Sequence, residues 1–319
     1  LASITKAVAT TSAIMKLVDQ NKIKIDKPIV TYLPDFKGKK KKYKKQKSKI
    51  TVKDLLAHSS GLPAFKQYYR MKKSKEVLLD SVYNTEPVKL IGDTTIYSDV
   101  GAIMLGELVE KVSGLSLKNY TDSLVFDPLG MNTTFFNPPK EKIHRIVPTE
   151  IDPNGNLIHG YVHDENAHSL GGIAGHAGLF STAKDLAIFS QMMLNKGLYG
   201  WKRIFQQNTV ELFTTRANII PESSRCLGWD SPSGESSGGI YLSDNSFGHG
   251  GYTGTTLWID PDNEIIVILL TNAVHPNRKN KEPKYFDWRH RIHSAVYESL
   301  SLNERNPSLL VKPRWVDSP

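Results

Sequence analysis

The stretch SITKAVATTSAIMKLVDQ, residues 3–20, has the pattern of an amphipathic helix and sets the frame for the rest of the chain. Its apolar face is formed by branched and long side chains at helical spacing, namely Ile4, Val8, Ile14, Met15, Leu17 and Val18. Ser3 suits the N-cap, since its hydroxyl can accept a hydrogen bond from an early helical N–H. The stretch therefore predicts a helix that begins at Ser3 and buries one face.

Ser3 and Lys6 lie three residues apart, so a helix places them on one face, one turn apart. A serine hydroxyl is a weak nucleophile until a base removes its proton. A lysine amine can be that base only where burial or a nearby cation lowers its pKa. The pair is a candidate nucleophile and base, and the alternative interpretation is a capping serine followed by an exposed lysine.

Downstream of this helix the pattern predicts further helices separated by loops. A short helix over residues 51–58 ends where Gly61 and Pro63 stop it. Residues 138–178 are rich in proline, glycine, histidine and asparagine, and they predict loops. The remaining helices are predicted over residues 101–112, 182–195 and 286–300.

The last third of the chain changes to β-rich sequence. Two such runs, residues 247–259 and 265–270, are joined by the turn residues Asp260-Pro261-Asp262-Asn263, which predicts an antiparallel hairpin. One opening helix, then mixed helices and loops, then antiparallel strands and a closing helix predict an α+β fold with a packed antiparallel sheet.

Composition excludes several classes of protein. The chain has 319 residues, 39% of them hydrophobic, which is enough for a sizeable core and too many for a disordered chain. The longest apolar run, Ile265 to Leu270, is too short to span a bilayer. The single cysteine, Cys226, cannot form a disulfide within the chain.

The basic charge of the chain comes from one short tract. The net charge is +9, and residues 37–49 contain nine lysines and no acid, so the rest of the chain is balanced. This distribution argues against a nucleic-acid partner. A tract of this kind is typical of a solvated, self-repelling loop, with binding of an anionic or cell-wall partner as the alternative.

Two further stretches contain side chains that can take part in catalysis. Tyr97-Ser98-Asp99 precedes a predicted helix, and a tyrosine beside ammonium groups can exchange protons with a serine. Residues 248–254, GHGGYTG, lie in a β-rich run, where glycines allow a substrate to approach the strand. Taken singly, each also fits an ordinary cap or glycine-rich bend.

Together the three stretches resemble the serine β-lactamase and penicillin-binding-protein family, in its class C, DD-peptidase and esterase branch. Ser3-x-x-Lys6, Tyr97-x-Asp99 and His249-Gly250-Gly251 stand in the order of that family's three motifs. Residues 55–63, LLAHSSGLP, are also similar to this branch, and the resemblance covers nearly the whole chain. It implies a β-lactamase-like α+β fold in which helices flank an antiparallel sheet, with the active site in the cleft between sheet and helical lobe.

The resemblance also implies an organisation. It predicts one domain over residues 1–319, with a mostly helical or loop lobe over 20–180 and a sheet-and-helix lobe formed by 1–19 and 181–319. Typical members have a helix and strands before their Ser-x-x-Lys helix. The sheet is accordingly expected to lack those N-terminal strands, and the chain is expected to be a fragment.

The roles that the resemblance implies fall on residues of all three motifs. Ser3 would be the acylated nucleophile, Lys6 its base or proton partner, and Tyr97 the proton shuttle. His249 would supply a donor or positive charge near Tyr97 or a substrate carboxylate. The backbone N–H groups of Ser3 and Tyr252 would form the oxyanion hole.

The resemblance further implies that Gly250 and Gly251 would let the acyl chain approach the strand. No cofactor and no metal are implied.

The sequence departs from the family pattern at two positions. Asp99 stands where asparagine is usual, and a carboxylate can accept from Lys6 but cannot donate to a substrate carbonyl. It can also raise the pKa of Lys6, which hinders a free-amine base. His249 replaces a permanent cation with a mostly neutral group, which puts recognition of a penicillin carboxylate in question.

A further block resembles one subgroup of the family. Residues 162–167, VHDENA, residues 171–182, GGIAGHAGLFST, and residues 270–276, LTNAVHP, are similar to muropeptide amidases that cut between N-acetylmuramic acid and L-alanine. Genes of this subgroup are often fused to, or lie beside, a family 3 N-acetylglucosaminidase. An upstream glycosidase domain on the full-length chain is therefore an implied partner.

Four histidines within 18 residues suggest zinc as another interpretation. They are His159, His163, His168 and His176, and Asp164 and Glu165 lie beside them. Their spacing lacks a clear helical pair, so loop and cleft-wall positions explain His163 and His176 better.

The resulting hypothesis is a serine hydrolase that acts through an acyl-enzyme on an amide or ester, with a muropeptide amidase as the favoured form. The alternatives are a DD-carboxypeptidase, a β-lactamase, a small-ester esterase, and a sensing domain with a decayed site. A cell-wall substrate implies a periplasmic or secreted location.

Overall fold

A computed structural model describes residues 1–38, 41–234, 236–281 and 284–309. The α-helices are α1 Ser12–Asp19, α2 Lys41–Lys47, α3 Val52–Leu56, α4 Lys75–Tyr83, α5 Asp99–Ser113, α6 Leu117–Thr121, α7 Asp127–Leu129, α8 Glu165–Ser169, α9 Ala183–Leu194, α10 Gln207–Thr214 and α11 Lys284–Ser299. The strands are β1 Phe135–Phe136, β2 Leu179–Phe180, β3 Leu198–Tyr199, β4 Lys202–Arg203, β5 Phe247–Gly250, β6 Thr256–Asp260 and β7 Ile265–Leu269.

The first helix differs from its prediction at the N-terminal end. Its backbone bonds begin at Ile4, whose N–H donates to the Leu1 carbonyl at 3.2 Å, and it is π-helical over Lys6–Thr11 before α1. The Ser3 hydroxyl is not a cap: it accepts a hydrogen bond from the Lys6 ammonium at 2.9 Å. The first turn therefore brings these two side chains together instead of satisfying its own N–H groups.

The predicted helix after Tyr97 is α5, and it lies at the centre of the helical part. Ser98 caps it by accepting from the Gly101 N–H, and Gly114 ends it with φ of 74°, a conformation that favours glycine. The helix packs against α1 and the preceding π-helical turn, and also against α3, α4 and α6. It therefore brings residues 97–99 to the start of the chain.

A glycine-rich loop lies against α5. A Cβ on Gly175 would be 2.0 Å from the Ala102 carbonyl oxygen, and one on Gly106 would be 2.9 Å from the Gly175 nitrogen. On the other side of the loop, Thr10 Oγ1 donates to the Gly175 carbonyl at 2.7 Å. The close approach that glycine permits at both positions holds residues 175–176 beside the first helix.

The antiparallel sheet consists of β5, β6 and β7 in that order, with His249 opposite Leu257 and Trp258 opposite Val267. Helix α9 packs on β6 and β7, and α11 packs on β7. The predicted 260–263 turn joins β6 to β7, but the predicted run 247–259 is two strands separated by a bend at 251–255. The expected α+β fold, with helices flanking an antiparallel sheet, is confirmed.

The lysine tract is not simply a solvated loop. Residues 41–47 form α2, and the Lys47 side chain is buried with its ammonium 4.2 Å from the centre of the Phe36 ring. This ammonium donates to the carbonyls of Tyr83 and Thr85. Burial lowers the pKa of Lys47 to about 8. Lys39 and Lys40 lie outside the described residues.

A large apolar core joins the first helix, α5, α9 and the inner face of the sheet. A second, smaller core lies between the sheet and α11 around Trp258 and Tyr297. Within the described ranges, every helix is too short or too polar to cross a bilayer. The division into lobes at residues 20 and 180 stays a prediction.

Candidate active site

A cavity of about 1090 Å³ opens where the first turn, the start of α5 and the bend after β5 meet. Most of the predicted site residues line it: Ser3, Tyr97, Asp99, His249, Gly250, Gly251 and Tyr252. Lys6 lies directly beneath Ser3 and is 4% exposed. The fold therefore brings together three stretches that are far apart in the sequence.

The Lys6 ammonium is held by three acceptors. It donates to Ser3 Oγ at 2.9 Å and to the His176 carbonyl at 3.1 Å, and it lies 2.7 Å from Asp99 Oδ1. Two hydrogen bonds and one ion pair therefore fix the direction of the ammonium toward Ser3.

The electrostatics of the site favour a charged Lys6. Burial disfavours the ammonium, but its electrostatic interactions with Tyr97 and Asp99 outweigh burial, so the pKa of Lys6 is raised. Of the two roles expected for Lys6, a charged ammonium favours the proton partner over the free-amine base, and Asp99 raises its pKa as expected from the sequence. Just before the nucleophile candidate, Ala2 has φ of 48°, a strained conformation for alanine.

Tyr97 lies between two cations. The Lys6 ammonium is 4.8 Å from the centre of its ring, and the Arg225 guanidinium carbon is 5.1 Å from it. The ring also contacts His58, with centroids 4.7 Å apart. The Tyr97 hydroxyl is buried, and no described residue meets it at hydrogen-bond geometry. This position suits a group that exchanges protons with the Ser3–Lys6 pair.

His249 is not the cation that the sequence analysis allowed. Burial, with the charges of Lys6 and Arg225, lowers its pKa to about 3. Its Nδ1 is 2.7 Å from the Gly250 carbonyl, so the neutral ring donates there and leaves Nε2 as an acceptor. The positive charge near Tyr97 comes from Arg225 instead.

The bend after β5 is fastened to the first residues of the chain. Thr255 Oγ1 donates to the Leu1 carbonyl at 3.1 Å, which holds Tyr252 beside the Ser3 turn. A Cβ on Gly251 would be 2.4 Å from the same carbonyl, whereas one on Gly250 would have no atom nearer than 3.4 Å. Glycine is thus required at 251 because a Cβ there would clash with the Leu1 carbonyl. At Gly250 there is space for the predicted approach of an acyl chain.

Asp164 and His176 form a buried pair next to Lys6. His176 Nε2 is 2.7 Å from Asp164 Oδ1, and the same carboxylate caps α8 by accepting from the Ala167 N–H. Burial opposes ionisation of Asp164, but contact with His176, the Ala167 hydrogen bond and the Lys6 charge keep its pKa well below the usual range. The pair fixes the His176 peptide whose carbonyl holds Lys6.

A second cluster of charged residues lies beside the cavity. Arg278 contacts Glu150 Oε2 at 2.7 Å and Glu165 Oε1 at 2.9 Å, while His163 lies 2.8 Å from Glu150. Burial opposes ionisation of Glu150, but hydrogen bonds from Arg278 and His163 lower its pKa to about 2. His163 in turn stacks on Tyr252, with ring centroids 6.1 Å apart.

The four histidines considered as zinc ligands have separate contacts. His163 and His176 line the cavity wall, His159 lies 2.8 Å from the Ile146 carbonyl, and His168 contacts the Tyr161 ring. In the part of the chain that the structure describes, no three His, Cys, Asp or Glu side chains are placed to hold a metal ion.

Sequence reasoning missed residues that reach the site from afar. Arg225 is remote from all three motifs in sequence, and only the fold places it over Tyr97. His58 was noted only as part of the 55–63 stretch, yet it is buried, with Nδ1 accepting from the Ser98 N–H. Burial and the charges of Arg225, Lys6 and His249 hold its pKa well below normal.

The family model described as Beta-lactamase matches residues 1–291. Over 305 residues the chain is 38% identical to an N-acetylmuramyl-L-alanine amidase of Bacillus subtilis (strain 168), covering 86% of this chain and 68% of that protein. Over 301 residues it is 36% identical to a protein of Salmonella agona (strain SL483) whose name proposes a D-alanyl-D-alanine carboxypeptidase, covering 86% of this chain and 69% of that protein.

Solved structures share the fold. The octameric penicillin-binding protein homologue from Pyrococcus abyssi is 22% identical, with a TM-score of 0.69 over 96% of this chain and 67% of that one. At this identity the similarity establishes the architecture alone.

Proposed function

The chain belongs to the beta-lactamase family, and on that premise we propose that it is a serine hydrolase that cleaves cell-wall muropeptides through an acyl-enzyme on Ser3. One observation carries the proposal: the Lys6 ammonium contacts Ser3 Oγ at 2.9 Å at the base of the cavity. The centre of the Tyr97 ring is 4.8 Å from the same ammonium. A hydroxyl, an ammonium and a phenol in this arrangement can move one proton at an attacking oxygen.

In the proposed acylation, Ser3 Oγ bonds to the substrate carbonyl carbon and the bond to the leaving amine breaks. The Ser3 proton passes to Tyr97 and then to the amine. Lys6 stays charged, so it cannot accept the Ser3 proton. The acceptor is the Tyr97 phenol oxygen, in the form of the Tyr97–Lys6 pair in which that oxygen is deprotonated. Lys6 and Arg225 stabilise the negative charge that develops there. Water reverses the same steps in deacylation.

The oxyanion is assigned to the backbone N–H groups of Ser3 and Tyr252. Both residues line the cavity, and the hydrogen bond from Thr255 to Leu1 holds their segments together. Backbone donors that are fixed in advance stabilise a tetrahedral intermediate without reorganisation.

The cavity favours a substrate larger than a simple ester. Its volume of about 1090 Å³ exceeds the usual range for a drug-sized ligand. Its lining contains the carboxylates of Asp99, Asp164, Glu165 and Asp230 together with the cations Arg225, Arg278 and Arg289. A muramyl-peptide fits this mixed lining, since its peptide carboxylates complement the arginines and its sugar donors complement the carboxylates.

Among muropeptide hydrolases we favour the N-acetylmuramoyl-L-alanine amidase reaction, which the 38% identical relative is named for. The D-alanyl-D-alanine carboxypeptidase reaction is the second candidate, because relatives at 36% identity have that name. A cell-wall substrate supports an extracytoplasmic location. An upstream glycosidase domain on the full-length chain stays a prediction.

The test is to incubate the full-length protein with purified muropeptides and weigh the products, with Ser3→Ala as the control. Release of intact stem peptide and free muramyl sugar supports the amidase. Loss of a single terminal D-alanine identifies the carboxypeptidase. Products that form equally with Ser3→Ala would refute the hydrolase assignment of this site.

A further inference from the structure

The two oxygens of Asp99 have different surroundings. Oδ1 is buried and lies 2.7 Å from the Lys6 ammonium. No hydrogen bond to Oδ2 is formed in the described part of the chain, and because Oδ1 is buried, the 22% exposure of the side chain, which lines the cavity, includes Oδ2. One oxygen is therefore committed to Lys6 and the other is open to a substrate.

The Asp99 carboxylate is close to the nucleophile. Ser3 Oγ and Asp99 Oδ1 both contact the same Lys6 nitrogen, so they lie within two hydrogen-bond lengths of each other. Asp99 is also the first residue of α5, and its N–H donates to the Ala64 carbonyl at 2.8 Å, which fixes its place. The carboxylate therefore lies within reach of a substrate group beside the carbonyl that is bound to Ser3.

A carboxylate at this position imposes a chemical choice. An ionised carboxylate only accepts hydrogen bonds, and the N-terminal end of α5 favours its negative charge. A substrate N–H or O–H placed opposite Oδ2 is bound, while a carbonyl oxygen there is repelled. Sites built around a specific hydrogen bond discriminate strongly against analogues that lack the partner.

We propose that Asp99 is a specificity-determining residue that selects acyl groups presenting an N–H or O–H donor beside the scissile carbonyl. The inference rests on the proposed function. The N-acetyl N–H and the ring hydroxyls of a muramyl group are donors of this kind, so the residue reads the sugar half of the substrate.

The structure also predicts what happens when this carboxylate becomes an amide. In Asp99→Asn, the Lys6 ammonium can only donate, so the amide oxygen must face Lys6 and the amide nitrogen must face the cavity. The open group then changes from an acceptor to a donor. The variant should therefore gain activity toward acyl groups that present a carbonyl, which a misfolded protein cannot do.

The test compares two substrates that differ by one hydrogen-bond donor: the 4-nitrophenyl ester of N-acetylmuramic acid and the same ester with the acetamido nitrogen methylated. The native enzyme should prefer the N–H ester about 10- to 100-fold in kcat/KM. In Asp99→Asn this preference should fall at least tenfold, with faster turnover of the N-methyl ester than the native enzyme gives.

Asp164→Asn is the matched control, because it removes the same charge from the same cavity at a residue that has no direct contact with the Lys6 ammonium. It should slow both esters and keep the preference. A native enzyme without preference, or the same change of preference in both variants, would overturn the inference. If the specificity proposal fails but a fluorophosphonate still labels Ser3, the serine hydrolase proposal stands. If neither labelling of Ser3 nor ester turnover is observed, both the hydrolase proposal and the Asp99 proposal fail.

Discussion

Adding one methyl group at Gly175 should disable the site from a distance. In Gly175→Ala the new Cβ would lie 2.0 Å from the Ala102 carbonyl oxygen, and real Cβ contacts stay beyond 3.0 Å, so the loop must retreat by about 1 Å. The adjacent His176 carbonyl, now 3.1 Å from the Lys6 ammonium, would then exceed hydrogen-bond distance. Lys6 would lose one of the three acceptors that direct it at Ser3.

Two magnitudes follow from this displacement. Overpacking of this kind costs about 2–3 kcal/mol of unfolding free energy, which lowers Tm by about 3–5 °C in a chain of this size. Misplacement of a catalytic group by about 1 Å costs about 100-fold in kcat/KM. Thermal unfolding and aryl-ester hydrolysis measure the two effects on the same preparation.

Two glycines of α5, the helix that contacts the Gly175 loop, provide the comparison. Gly106→Ala brings a Cβ to 2.9 Å from the Gly175 nitrogen, so it should reproduce the activity loss from the opposite side of the same contact. Gly101→Ala adds the same methyl where the nearest atom is a Leu55 side-chain carbon at 3.4 Å, and it should keep native activity. Native Tm and native kcat/KM in Gly175→Ala would refute the reasoning.

Three further predictions concern charge. Arg225→Gln should lower kcat/KM about 3- to 30-fold, because it removes a cation beside the Tyr97 ring. Arg225→Lys should recover part of the activity, and an unchanged rate in Arg225→Gln would exclude a role for this cation. Because the pKa of His249 is lowered to about 3, pH–rate profiles of the native enzyme and His249→Gln should have the same shape between about pH 5 and 8; an inflection near pH 6.5 that the variant lacks would contradict this. The pKa of Glu150 is lowered to about 2, so its stabilisation is complete above an unfolded pKa of about 4.3 and is lost as pH falls toward 2. Thermal unfolding of Glu150→Gln should accordingly show a lower Tm at pH 7 and a smaller loss of Tm on acidification; an acid response equal to the native one would refute it.

Local spacing was sufficient for half of the site. Ser3 and Lys6 are one helical turn apart, so any helix over these residues brings them together, and the fold confirms the contact at 2.9 Å. The spacing did not reveal what the Ser3 hydroxyl does, because a cap and a nucleophile have the same pattern. Only the Asp99 and His176 acceptors, which reach Lys6 from distant segments, decide its direction.

Contacts between distant segments account for what the sequence analysis missed. Arg225 supplies a positive charge near Tyr97 because the fold places it over that ring, whereas burial keeps His249, already expected to be mostly neutral, uncharged. Lys47 shows the same limit in the lysine tract, since its side chain is buried against Phe36 and two carbonyls. Composition describes the tract as a whole and cannot single out that member.

The central claim is that Ser3 becomes covalently acylated with the help of Lys6 and Tyr97. Intact-mass measurement of the full-length protein after rapid quenching with an aryl ester tests it most directly, followed by mapping of the modified peptide. One acyl group on the peptide that contains Ser3, absent in Ser3→Ala and greatly slowed in Tyr97→Phe, is the predicted result. An acyl group on another residue, or substrate turnover without any adduct and with full activity in Ser3→Ala, would contradict the account.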